Sequence, residues 1–577
     1  MKPVSNGRRT MLGAIIVAGC LLSGCSDGEV NSSNLNATRS GTLSGSANDR
    51  LTLIEDDAEA QRFLAKATFG PTMEDIAALS RRDASEWVRQ QFTVKPSPYL
   101  PRILALESAG ENIKPRRHSA LIWNDMISRD DQLRQRMTFA LSQIIVVSDS
   151  DMFGYTPQYA YYIDTLQKNA FGNYRDLLED ITYAPAMAKY LTYFRNLKED
   201  PKTGRMPDEN YARELLQLFT IGLVELNMDG TPKLTNGQEV ETFSNDDIQG
   251  LARVFTGMTL KGDNFWKAHE DGTYSRMVTS TEWHSSGEKA FLGTLIPAGT
   301  GPDETITQAL DTIFAHPNVA PFVSKQLIQR FTASDPDPAY VERVATAFET
   351  GTFTAPNGIQ FGTGERGDLK ATLSAILLDP SIHVENGATP SHDGKVREPI
   401  LKFANTLRAF DASPVKAEVE YKLDNTSSGF DSLAQHPMRS PSVFNFYRPG
   451  FVSPGTESGN AGKTAPEFQI VHSGTIVGYL NFTSRFILDR SPTRDKTESF
   501  TPDFRDEIAL AETPSALVDH LDLLLTGKTL SEPIRQEIQS AIESIPLREG
   551  SEPDDMERRA QLAIFLVTSS SAFAVQK

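Results

Sequence analysis

The chain has 577 residues, with 57 basic against 75 acidic side chains, a formal net charge of −18 and a pI near 5.1. At 39% hydrophobic and 23% charged it has the composition of a folded protein, which argues against wholesale disorder, collagen-like repetition and a polytopic membrane protein. Two cysteines cannot build a disulfide scaffold, and the acidic balance speaks against general attraction to nucleic acid or anionic lipid, so no nucleic-acid partner is expected.

Lys2, Arg8 and Arg9 precede an apolar run, Met11 to Leu22, that is too short to span a bilayer. This pattern predicts a signal peptide over residues 1–24. Leu22-Ser23-Gly24-Cys25 resembles the bacterial lipobox, which makes Cys25 the lipidation site and the first mature residue, with Cys20 lost in the signal. Removing residues 1–24 takes away three basic and no acidic side chains, leaving 54 against 75, a net charge of −21. More than one acyl chain on Cys25 suffices for stable membrane attachment. Residue 26 is Ser rather than an Asp retention signal, so by analogy with the diderm sorting rule the expected location is the outer membrane. Arg8-Arg9-Thr10-Met11-Leu12 leaves both twin-arginine and general secretory export open.

Residues 25–50 are rich in Ser, Asn and Gly and read as a flexible tether. From residue 51 to 577 the dominant period is helical, and one packed helical body is expected. Thr72 with Asp75 and Ser244 with Asp247 have the spacing of capping boxes. Gln132 to Val147 lacks internal Pro and Gly and reads as a helix. Pro207 opens a helix over Asn210 to Ile221 that Gly222 closes. Asn236-Gly237 marks a two-residue hairpin, and residues 290–296 a second short pairing. Further helices are predicted over 322–331, 339–349, 369–378, 400–410, 506–512, 516–525, 532–545 and 556–567. The fold class is therefore mainly α: a large helical domain with small β-hairpins and long Pro/Gly-rich loops near 262–287, 353–367 and 387–394.

Several segments together resemble a bacterial family, domain of unknown function 1800. They include Leu133 to Met137, Asp208 to Gly222, Ala252 to Gly257, Lys289 to Gly293, Lys395 to Pro399 and Ser440 to Arg448. Met258 departs from the pattern, where the family carries Trp after Thr-Gly. The resemblance implies a largely helical fold and an exported location. It implies no reaction, and by analogy it suggests an exported sulfatase-like partner protein.

The candidate chemistry starts on the helix at Asn210. Spacings of three and four place Asn210, Arg213, Glu214 and Gln217 near one face of an otherwise apolar helix. Such a stripe reads either as a structural ion-pair network or as a site, with Glu214 and Arg213 as catalytic candidates and Asn210 and Gln217 as ligand-binding ones. His284 is the third catalytic candidate; the nine histidines are scattered without a tight metal spacing, so no metal site is assigned. Arg397, Tyr447 and Arg448 are further ligand-binding candidates, the last two in an aromatic loop that reads either as a sugar or partner surface or as a plug for the core. The leading expectation is a lipid-anchored envelope protein that binds or assembles with another exported protein. The alternative is an envelope hydrolase of a polymer or ester, which gains if Glu214, Arg213, His284, Arg397 and Arg448 converge on an open pocket.

Overall fold

The computed structural model describes residues 52–110, 115–151, 156–382, 394–414, 425–489 and 500–577. The signal peptide, Cys25, the tether and most of the 387–394 loop lie outside the described residues. Within them the chain is mainly helical, and every sheet is a single antiparallel pair of short strands. Buried apolar residues from Ile54 to Phe573 join in one continuous core.

Local signals set many of the boundaries. Thr72 accepts from the Asp75 amide at 3.1 Å while the Asp75 carboxylate takes the Thr72 amide at 3.0 Å, and Ser244 with Asp247 repeats the arrangement. Asp368 caps the helix Leu369–Leu377 through the Ala371 amide at 2.9 Å. Leu234–Thr235 pairs with Gln238–Glu239 around Asn236 and Gly237, both at positive φ, as a two-residue hairpin requires. Lys289–Phe291 and Thr294–Ile296 form the second hairpin.

Several features differ from the sequence expectation, beginning with the stretches 262–287 and 353–367, expected as loops, which carry strands of short antiparallel pairs. The helix that starts at Gln132 ends at Ser142 rather than near Val147. The helix from Asn210 is α-helical only to Glu214 and widens into a π segment over Leu215–Thr220, which turns Gln217 relative to a regular helical face. A long helix, Ser473–Asp489, runs through a stretch with Gly474 and Gly478 where none was expected. Gly478 is there because a Cβ would lie 2.3 Å from the Gly429 carbonyl oxygen, so only glycine lets the neighbouring loop approach.

The middle of the chain is also tied to its end. Lys395–Val396 pairs with Val575–Gln576, and the Arg397 amide donates to Ala574 O at 2.9 Å. This pairing fixes the segment Lys395-Val396-Arg397-Glu398 immediately before the helix Pro399–Ala409.

Candidate functional site

Pro399 occupies the first turn of its helix, where its missing N–H costs nothing, and it leaves Glu398 extended just outside the helix. The Glu398 carboxylate points inward and is fully buried. Its Oε2 accepts three hydrogen bonds: from Gln143 Nε2 at 2.8 Å, Gln435 Nε2 at 2.5 Å and Tyr447 OH at 2.9 Å. Gln435 is itself held, because its Oε1 accepts the Ile400 amide at 3.1 Å. Glu398 Oε1 has no partner among the described residues.

Beside it lies a second buried carboxylate. Lys395 pairs with Glu467, both side chains 0% exposed, and its ammonium also donates to Gln329 O at 2.8 Å. Ser334 Oγ donates to Glu467 Oε2 at 2.9 Å and accepts the Val396 amide at 3.0 Å. Burial pulls the Lys395 ammonium below its ordinary value, against the opposing pull of Glu467 and Glu398.

Two arginines complete the cluster. Arg136 belongs to the helix Gln132–Ser142, every residue of which is buried, and Arg330 lies in the last turn of Val319–Phe331. Each is 1% exposed. Arg136 Nη2 donates to Arg330 O, its guanidinium stacks 4.7 Å from the Phe331 ring centre, and that of Arg330 stacks 4.7 Å from the Tyr447 ring centre. Nε and Nη1 of both arginines have no hydrogen-bond partner among the described residues. Burial lowers the Arg136 pKa to about 10 and pushes the Tyr447 phenol well above its ordinary value.

Of the residues named from sequence, Tyr447 is in this cluster. Arg397 is buried next to it but turns to Asn405 Oδ1 at 2.8 Å and stacks on Phe573. Arg448 is exposed over the Phe444 ring. Arg213 bonds Glu209 at 3.1 Å, at a half-exposed position. Glu214 is buried, its Oε2 lacks a partner, and burial raises its pKa. Asn210 lies at the surface, its Nδ2 3.4 Å from Thr192 Oγ1, and Gln217 is half-buried on the π segment. His284 is buried with Nδ1 3.1 Å from Thr256 O, and burial lowers its pKa. No hydrogen bond or ion pair among the described residues joins Glu214, Arg213 and His284. Also among the described residues, no group of three or more His, Cys, Asp or Glu is placed to hold a metal ion.

The segments that meet at Glu398 are Leu133 to Met137, Lys395 to Pro399 and Ser440 to Arg448. The sequence model of the family described as protein of unknown function (DUF1800) matches residues 62–575. The chain belongs to that family. No curated protein and no solved structure matches it.

In this DUF1800 chain the sequence reading missed Arg136, Gln143, Arg330, Lys395, Glu398, Gln435 and Glu467. A signal existed for Arg136, Lys395 and Glu398, since each sits in a segment that carried the family resemblance. For Arg136 there was a second one: Gln132 to Ser142 shows no polar face, so its charged side chains had to be buried or paired. Glu467 and Gln435 carried none, because Glu467 lies in a single short 3-10 turn and Gln435 in an irregular segment, and each finds its partner only through the tertiary fold.

Proposed function

We propose that this DUF1800 protein is an exported, lipid-anchored envelope component that binds or assembles with another exported protein, with a sulfatase-like protein as the partner class the family resemblance suggests. The lipobox at Leu22 to Cys25 supports the anchor, and among the described residues no helix is long and apolar enough to cross a membrane. The observation that favours the binding reading over the hydrolase reading is that Arg213 and His284 are engaged by other groups, with no hydrogen bond or ion pair to Glu214 among the described residues. A general base has to sit within hydrogen-bond reach of the proton it takes, and catalytic partners have to converge. Here Arg213 is spent on Glu209, and the Nδ1 face of His284 on a backbone carbonyl.

The test is cross-linking in intact envelopes followed by purification of the full-length protein in mild detergent. The binding reading expects one exported protein at near-equal amount, retained by Glu214→Gln and released from the membrane fraction in Cys25→Ser. Hydrolysis of an envelope ester or glycan by the purified protein, abolished by Glu214→Gln in a folded variant, overturns it.

A further inference from the structure

We propose that Arg136 and Arg330 hold a small oxyanion of the phosphate or sulfate class beneath the loop 440–451. Such a site needs neither the anchor nor a partner protein. Three cations, Arg136, Arg330 and Lys395, share the buried cluster with two carboxylates, Glu398 and Glu467. Glu467 is taken up by Lys395 and Ser334, and Glu398 Oε2 is taken up by three neutral donors. Neither arginine forms an ion pair with a carboxylate among the described residues. Arg136 donates to the backbone carbonyl of Arg330, and the Arg330 charge is close enough to add to the lowering of the Arg136 pKa.

Aromatic stacking does not relieve this. Phe331 and Tyr447 place ring centres 4.7 Å from the guanidinium carbons, but a ring brings neither a full negative charge nor an acceptor oxygen to the N–H groups. Four guanidinium nitrogens, Nε and Nη1 of each arginine, are consequently buried without an acceptor. Buried charge of this kind is strongly disfavoured unless it is both neutralised and hydrogen-bonded. A water molecule could accept hydrogen bonds but would leave the charge. A tetrahedral oxyanion does both, because it brings several acceptor oxygens and negative charge to donors suited to them.

The loop that covers the cluster carries a further buried donor without a partner among the described residues, Asn445 Nδ2. Tyr447 is 1% exposed, whereas the next residue of the loop, Arg448, is exposed. Gln329 Nε2 fastens this loop by donating to Pro449 O at 2.9 Å.

The test is equilibrium dialysis of the full-length protein against radiolabelled inorganic phosphate and, separately, sulfate, with sodium chloride holding ionic strength constant. Saturable uptake of one anion per chain is expected, and the two arms show which oxyanion is preferred. Arg330→Gln should weaken uptake by at least about tenfold, since a hydrogen bond to a charged group is lost with the charge. Should that variant fail to fold, Glu398→Gln decides: its amide oxygen keeps the three donors, and removal of a negative charge should tighten uptake. Absence of saturable uptake by the wild type, unchanged uptake in folded Arg330→Gln, or unchanged or weaker uptake in Glu398→Gln overturns the proposal.

Discussion

The polar groups around Glu398 and those along Asn210 to Gln217 are held in opposite ways. Around Glu398 every contact spans the chain: Gln143 to Glu398 crosses 255 positions, Arg136 to Arg330 crosses 194, and Lys395 to Glu467 crosses 72. Along the Asn210 helix the charged side chain pairs locally, Arg213 on Glu209 four residues away and the Asn210 amide on Asp208 two residues away, and the longer contacts, Asn210 to Thr192 and Tyr211 to Thr182, cross only 18 and 29 positions. A long-range polar network forms only when the surrounding elements have packed, and once formed it is shielded from water. A local pair on a half-exposed helix forms anywhere the helix forms and competes with solvent throughout. The first kind therefore carries the larger interaction energies, and the unpartnered atoms within it are the more informative.

The strongest way to break this contrast is at Lys395. Lys395→Met leaves Glu467 buried beside Ser334 without its cation, and removal of one partner from a buried pair costs about 3–5 kcal/mol. Chemical denaturation should show that loss, and Lys395→Met combined with Glu467→Leu should recover a large part of it, because no uncompensated charge remains. A loss below about 1 kcal/mol in the single variant would place the pair among ordinary surface contacts. Next in size is Tyr447→Phe, which removes one of three donors to Glu398 Oε2 and keeps the ring under Arg330. A hydrogen bond to a charged group contributes about 1.5–3 kcal/mol, so the midpoint of unfolding should fall with little change in its slope on denaturant.

What could be read from the sequence follows the same division. Capping boxes and the Asn236-Gly237 turn depend on neighbours within a few residues, and they stand where their spacing put them, whereas Pro207 lies outside its helix, which has Glu209 at the N-cap. The helix Ser473–Asp489 was hidden because its two glycines argue against a helix locally, while the reason for Gly478 is a loop that packs on it from residue 429. The straight helix over Asn210 to Ile221 gave way to a π segment, which hydrophobic periodicity does not distinguish over so short a run. At the candidate site, Tyr447 was reached because an aromatic loop with arginine stands out by composition. Glu398 and Arg136 look unremarkable on either side of a proline and inside a helix, and become a site only when they face each other.

Glu214 sharpens the comparison from its other side. Burial raises its pKa, so the native state holds the proton more tightly than the unfolded chain. This contribution favours folding below the ordinary Glu value and is lost as pH rises through the raised one. Above that window the ionised carboxylate works against the fold. Glu214→Gln should therefore be no less stable than wild type at pH 7, and any advantage should shrink toward zero as the pH is lowered below about 4. A clear loss of stability at pH 7 would mean that the carboxylate form is the one the structure uses.

The smallest effect belongs to Arg213. Its side chain is 41% exposed and that of Glu209 is 32% exposed, four residues apart on one face. Such a pair gains little Coulomb energy in high dielectric and costs side-chain freedom, so helical i,i+4 pairs contribute about 0.3–0.5 kcal/mol. Arg213→Ala should shift the unfolding midpoint by no more than that, and the shift should vanish in high salt, where the Debye length falls to about 3 Å at 1 M. The same salt should leave the penalty in Lys395→Met nearly unchanged, because water and ions do not reach that pair. If instead Arg213→Ala were costly and insensitive to salt, the Asn210 helix would be engaged by something that excludes water from it, and the division between a shielded cluster and a solvated stripe would no longer describe this molecule.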